Sequence, residues 1–442
     1  MLWPVLRASG RMVLLAFAAA AVAACQTEMG EPTASPAGNP PVATVEATRE
    51  PLPTPVPPPP PTATPVPRAK VVSSLPRSGQ SRAQTESMVN AARMALDEAG
   101  GRARGVLVDL VDLDSGSPQG GWDAEREGAN ARQAAADPAA VAFLGPFGSD
   151  GARVAIPILN RAGLFTISAS ASHPGLTHKV IGGDPSEPDI YYPSGARTFA
   201  RVIPPDDAQG ALAARWARQQ GLKRAFVLDD GTLYGRSLTT AFARTAEVIG
   251  LEVVGGPERA DTRAIAYDGL VRRVLASGAE VVFFAPREEA GSAKLVAELR
   301  SGAPKVRMVL SESLYSRAFA AQLGATGEGV YVMSGAVLPA RLDGAGEAWY
   351  QRYRAKYGAE PSPFAAYTYE ATQVVLRALE QVGAPDRARV ADAIRAMGPM
   401  EGVLGRWSFD KNGNVDQPRL NLVPIRTGAL NERGALLIGV GD

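Results

Sequence analysis

The chain of 442 residues contains one cysteine, Cys25, and two histidines, His173 and His178. A single cysteine permits no disulfide within the chain, so stability must come from packing. A zinc site built from Cys and His ligands is excluded for the same reason. A Ser/His/Asp hydrolase would have to recruit one of the two histidines. Both lie in the stretch Ser172-His173-Pro174-Gly175-Leu176-Thr177-His178, which reads as a surface loop rather than a catalytic one. Charge of one sign is not in excess: 46 Lys and Arg face 45 Asp and Glu, a net charge of +1. Nucleic-acid binders gather a basic surplus on one face, so that class is set aside. Catalytic signatures are missing as well. There is no phosphate-cradling Gly-rich loop ending in Lys-Ser/Thr. The nearest approach to a nucleophile elbow, around Ser149, has Phe147 in place of its first glycine. Asp410-x-Asn412-x-Asn414 begins like a calcium loop, but Val415 takes the position that must be glycine, so it reads as a turn. An enzyme, a metal site and a cofactor are not expected.

The hydrophobic fraction is 45%, enough for a sizeable core and too much for a wholly disordered chain. Long apolar runs are scarce; the clearest is the 13-residue stretch from Met12 to Ala24, behind Arg7 and Arg11. That is short for a membrane span of about 20 residues and suits the apolar region of a secretory signal. It closes on Val22-Ala23-Ala24-Cys25, which resembles the lipobox of bacterial lipoproteins and predicts cleavage after residue 24 and acylation of Cys25. Residues 26–68 hold 14 of the 36 prolines and no Phe, Trp or Tyr. Such a segment cannot bury enough apolar surface to fold and is biased to polyproline II. At about 3.1 Å per residue it would reach on the order of 130 Å as a stalk.

From Lys70 the pattern changes to short β-rich runs, each followed by a helix-period stretch. Candidate strands are Val71–Ser74, Val106–Leu113, Val141–Gly145, Leu164–Ser168, Ala225–Leu228, Val253–Gly255, Val281–Ala285, Val306–Leu310 and Val330–Met333. Candidate helices between them include Thr85–Ala99, Asp207–Gln219, Thr239–Ile249 and Ala290–Arg300. The alternation predicts βα units with parallel sheets. About nine strands exceed one ordinary sheet, so the expectation is an α/β protein of two doubly wound parallel-sheet lobes. The segment Val180–Gly195 reads as a loop, 344–397 as almost entirely helical, and the residues after Trp407 as a strand entering an Asn-Gly turn. Open α/β sheets bind ligands at the carboxyl ends of their strands. There, Phe143–Gly151 runs into a helix with Ser149 placed as its N-cap, beside amide groups suited to a carboxylate. The next strand ends Ser168-Ala169-Ser170-Ala171-Ser172, adding hydroxyls at the same edge.

At these residues the chain resembles the substrate-binding proteins of ABC importers for branched-chain amino acids, which have the type I periplasmic-binding-protein fold. The resemblance spans roughly 70–430. It rests on Asn90–Gly101, Phe165–Ser172 with Pro174–Thr177, Arg201–Gly210, Tyr234-Gly235 and Gly405–Asp410. It implies two lobes joined by three crossings, at 69–204 plus 336–418 and at 205–335 plus 419–442. It implies that Ser149, Ser170 and Ser172 hold an α-carboxylate. Tyr234 would face them from the second lobe, and Glu312 would pair with the α-ammonium. Asp206, where the chain first crosses between lobes, either touches the ligand or caps the following helix. Two positions depart from the pattern: Gln84 or Thr85, and Pro286-Arg287, stand where an aromatic lines the family's pocket. A pocket-facing Arg287 would disfavour aliphatic ligands and favour a polar, acidic or larger amino acid, or a related amide or carboxylate. The implied function is a monomeric extracytoplasmic lipoprotein, tethered to a bacterial membrane, that passes its ligand to an ABC permease. The competing expectation is a scaffold or sensor of the same fold that signals to a partner protein.

Overall fold

The computed structural model describes residues 66–439, apart from 80, 118–120, 181–182 and 287–290. Cys25, the apolar run, nearly all of the proline-rich stretch and Arg287 lie outside the described residues.

The first sheet is laid down in one pass of the chain. Its strands are β1 (Arg68–Leu75), β2 (Arg102–Ala103), β3 (Val106–Asp114), β4 (Ala140–Leu144), β5 (Phe165–Ser168) and β6 (Phe199–Arg201), in the spatial order β2-β3-β1-β4-β5-β6. All pairs are parallel except the short β2–β3 hairpin. Helices α1 (Arg82–Glu98), α2 (Ala124–Ala136) and α3 (Ser149–Arg161) are the crossovers. All five residues of β4 are buried, as a central parallel strand covered on both faces should be.

The chain then crosses at 202–205 and builds the second sheet. Its elements are α4 (Asp206–Gln219), β7 (Arg224–Asp229), α5 (Leu233–Ile249), β8 (Glu252–Arg259), α6 (Asp268–Ser277), β9 (Val281–Ala285), α7 (Ser292–Gly302), β10 (Arg307–Leu310), α8 (Arg317–Leu323) and β11 (Val330–Ser334). After β11 the chain returns to the first sheet with α9 (Ala345–Tyr357), α10 (Pro363–Val382), α11 (Arg387–Arg395) and the hairpin β12 (Met400–Gly402)–β13 (Gly405–Trp407). It crosses a third time to add β14 (Arg419–Arg426), β15 (Ala429–Leu430) and β16 (Leu436–Gly439) to the second sheet, whose order is β15-β14-β11-β10-β9-β7-β8 with β16 on β14.

The fold is therefore the expected α/β pair of sheets with three crossings, with one qualification of geometry. β14 runs antiparallel to β11, so the second sheet is parallel only as far as β11. α10 explains why the return passage belongs to the first lobe. Proline at its first position suits the helix start, and 13 of its 20 residues are buried against the first sheet and α1. Trp349, Tyr353 and Tyr369 close that core in a chain of ring contacts.

Two local expectations change. β6 is absent from the sequence reading because three residues, Phe-Ala-Arg, carry too little pattern to announce a strand. The Asn412-Gly413 turn forms, with Asp410 Oδ1 accepting from the amides of Asn412 and Asn414 at 2.8 Å each. However, it closes only the isolated bridge Phe409–Val415, because Gly405–Trp407 pairs backwards with Met400–Gly402.

Candidate functional site

Where the carboxyl ends of the two sheets face each other lies a cavity of about 330 Å³. Its first-lobe wall includes Ser149, Asp150, Arg153, Ser170, Ser172 and His173. Leu233, Tyr234, Glu312 and Ser313 come from the second lobe, and Asp206 from the first crossing. The structure thus gathers Ser149, Ser170, Ser172, Asp206, Tyr234 and Glu312 around one space, although the first and last are 163 residues apart in sequence. Gln84 is not among them. It sits on α1 with its carbonyl accepting from Ser362 Oγ at 3.2 Å, which holds that turn of α1 against the start of α10. Neighbouring Thr85 is buried and spends its hydroxyl on the Pro76 carbonyl.

On the first lobe a buried serine organises the wall. Ser168, at the end of β5, donates to the Pro146 carbonyl at 3.0 Å and accepts from the amides of Ser170 and Ala171 at 3.2 and 2.9 Å. This locks the loop after β5 onto the loop after β4. Ser149 is not the N-cap expected from sequence. Gly148 takes that place in the left-handed region (φ 79°), and Ser149 begins α3. Its hydroxyl is turned across the cleft edge, accepting from the His173 amide at 3.0 Å. The carboxylate-binding potential of a helix N-terminus is kept, since the first-turn amides of α3 remain beside the cavity.

The loop that follows is not a surface loop. His173 is 5% exposed, with Nε2 at 2.9 Å from Glu187 Oε2, and burial pushes its imidazole below the ordinary value despite that partner. Glu187 also accepts from the Tyr191 hydroxyl at 2.5 Å, so Glu187 and Tyr191, both buried, form a packed buttress of the site. Gly175 is required there: a Cβ at that position would lie 1.9 Å from Glu187 Oε2. His178 pairs with Asp207 Oδ2 at 2.7 Å. Sequence reasoning also missed Arg201. It is fully buried and donates to the carbonyls of Ala171 and His173 at 3.0 and 2.8 Å and to Thr177 Oγ1 at 2.7 Å. Desolvation lowers its pKa to about 10, the nearby Asp206 carboxylate opposing that. One cation therefore shapes the hydroxyl-bearing loop from below. Its signal was a lone arginine in the apolar run Phe199–Ile203.

On the second lobe Tyr234 enters at the start of α5, whose N-cap Thr232 accepts from the Gly235 amide. Burial holds its phenol well above the ordinary value, with the Ser311 hydroxyl and the Ser313 amide facing it. Glu312 follows β10, and burial raises its carboxyl to about 7, helped by the Asp206 carboxylate and opposed by the Gly335 amide and the Gln209 side chain. Gln209, buried on α4, also donates to Asp206 Oδ1 at 3.3 Å, while its Oε1 accepts no hydrogen bond from the protein. Gly335 is needed at the second crossing, since a Cβ would come within 2.2 Å of Glu312 Oε2. The result is a cleft with hydroxyls and amides on one side and half-buried to buried carboxylates on the other, a charge-complementary cradle for a small zwitterion. Among the described residues there is no group of three metal-ligating side chains, and no helix long and apolar enough to cross a membrane.

Two α/β lobes linked three times, with a polar cavity where their strands end, define a bilobal solute-binding protein. The chain belongs to the periplasmic binding protein family, whose model matches residues 69–429; family and fold are those of extracytoplasmic solute-binding proteins. It is 27% identical over 282 residues to an amino acid binding protein of Pseudomonas aeruginosa, covering 62% of this chain and 69% of that one. It is 25% identical over 350 residues to Leu/Ile/Val-binding protein homolog 1 of Brucella abortus, covering 78% and 86%. Among solved structures, an ABC transporter substrate-binding protein of Desulfitobacterium hafniense in complex with Leu matches with a TM-score of 0.66 at 24% identity, over 82% of this chain and 99% of that one. A solute-binding protein of R. palustris in complex with benzoate matches with a TM-score of 0.61 at 17% identity, over 85% and 98%. These structural likenesses carry the fold.

Proposed function

We propose that the protein captures an amino acid, or a related small carboxylate or amide, in the inter-lobe cleft and delivers it to an ABC permease, without chemical turnover. The observation that carries this is the joining, in one cavity, of Ser149, Ser170 and Ser172 from one lobe with Tyr234 and Glu312 from the other. Ser149, Ser170, Ser172 and the α3 amides hold the α-carboxylate; Glu312 and Asp206 hold the α-ammonium. A ligand favours closure only through contacts absent from the open form, and a ligand gripped by both lobes meets that condition. The lobes are residues 69–204 plus 336–418 and 205–335 plus 419–442, closing about the crossings as a monomer. The names of the relatives support an amino acid as ligand.

The chain is held at a bacterial membrane through acylated Cys25, with the proline-rich stretch as spacer. Each buried methylene of an acyl chain adds about 0.8 kcal/mol of membrane affinity. A thermal-shift screen of the full chain against amino acids and small carboxylates tests the binding. A ligand at 100 times its Kd adds about 2.7 kcal/mol of stability, an easily seen rise in Tm. No rise across the panel would contradict the proposal, and a bound ligand recovered chemically altered would contradict binding without turnover.

A further inference from the structure

We propose that Arg153 and Asp150 form a side-chain subsite that makes the cleft selective for amino acids ending in a carboxamide. This rests on the amino-acid reading above and names its ligand class. Arg153 lies one turn beyond Ser149 on α3, so the two share a helix face, and both line the cavity together with Asp150. Arg153 is the one Lys or Arg among the described residues that line it.

The guanidinium, which also meets the Tyr191 hydroxyl, is incompletely satisfied by the protein. Its bond to Glu187 Oε1 is long at 3.4 Å, while Glu187 is already held by Tyr191 at 2.5 Å and His173 at 2.9 Å. Asp150 Oδ1 is 3.7 Å away, beyond hydrogen-bond distance. Nε is buried without an acceptor. An aliphatic ligand side chain would cover these donors and leave them unmet, which is costly.

Charge decides between an acid and an amide. Glu187 already sets a buried negative charge against Arg153, and Asp150 sets another at the cavity wall. A ligand carboxylate would meet Arg153 with two carboxylates at its back. A carboxamide instead offers an acceptor and a donor side by side. Its oxygen accepts from Arg153 and its NH₂ donates to Asp150, and no charge is added to the site. The hydrogen-bonded buttress of His173, Glu187 and Tyr191 fixes Arg153 in place.

The test is calorimetric titration of the full chain with glutamine, asparagine, glutamate, aspartate and leucine. At least one amide is expected to bind ten-fold or more tighter than both its acid and leucine. Arg153→Met should remove that preference and raise leucine affinity at least five-fold, since no unmet donor is then covered. Asp150→Asn, at a half-exposed position and with its Tm checked beside the native protein, should move the acid-to-amide ratio at least five-fold toward the acid. An acid or leucine bound as tightly as the amides would overturn the proposal. So would a ratio unmoved by Asp150→Asn, or equal losses for all ligands in Arg153→Met. Failure of every amino acid to bind, or binding indifferent to Glu312→Gln, would instead strike the underlying amino-acid reading.

Discussion

On the proposed reading, half-buried Glu312 couples ligand capture to protons. Its carboxyl is raised from 4.5 to about 7 by burial, with Asp206 adding to the effect. Because the folded empty cleft holds this proton more tightly than the unfolded chain, protonation favours the fold. The contribution is complete below pH 4.5 and is lost as the pH rises through about 7, on the order of 3 kcal/mol for this one group. Glu127 and Glu370, also raised to about 7 chiefly by burial, act in the same direction. The ligand-free protein should therefore melt at a lower temperature at pH 8 than at pH 5, and Glu312→Gln should flatten part of that slope. Ligand binding reverses the sign at this residue, since an ammonium needs the ionised carboxylate. Affinity should fall by up to ten-fold per pH unit below 7, with proton release detected by calorimetry in buffers of different ionisation heat. Affinity independent of pH between 5 and 7 would remove Glu312 from the ammonium site.

At the scale of elements, the loops at the strand ends decide whether the hydroxyls point inward. Arg201 on β6 holds three acceptors of the 171–177 segment and is itself fully buried. Removing it strands buried carbonyls, so Arg201→Met should cost on the order of 3 kcal/mol of stability by denaturant unfolding. It should also weaken ligand binding more than ten-fold, with partial rescue by Arg201→Lys. Unchanged binding would mean that the loop keeps its shape unaided. The βα alternation, and with it the two-sheet fold, was legible because buried strands such as Val281–Ala285 are continuous apolar runs between helix-period stretches. The hydroxyls after β5 were legible for the same reason, sitting at a recognisable strand end. The buttress was not. The segment Val180–Gly195 has no periodicity, and only the folded chain shows Glu187 and Tyr191 buried against His173. Gln209 and Arg201 were hidden likewise, since one polar residue on an amphipathic helix or a three-residue strand does not announce which way it faces. Glu312 was visible only through family resemblance, because a glutamate in Ser-Glu-Ser has no pattern of its own.

For the whole molecule, the two sheets each have their own cores, and on the proposed reading the lobes close as bodies about 202–205, 335–338 and 408–418. Closing onto a ligand should reduce the radius of gyration in solution scattering, and Glu312→Gln should abolish the change. Scattering curves that superpose with and without saturating ligand would deny the closure. Whether an amino acid is gripped by both lobes at once is decided by titration calorimetry on the full chain. The panel is the amino acids, run on the native protein beside Ser149→Ala and Glu312→Gln. One-to-one binding of at least one amino acid is expected, weakened about ten-fold by the loss of the Ser149 hydroxyl. Glu312→Gln should weaken it at least a hundred-fold. Binding that survives both substitutions unchanged, or no heat from any amino acid, would contradict a grip by both lobes.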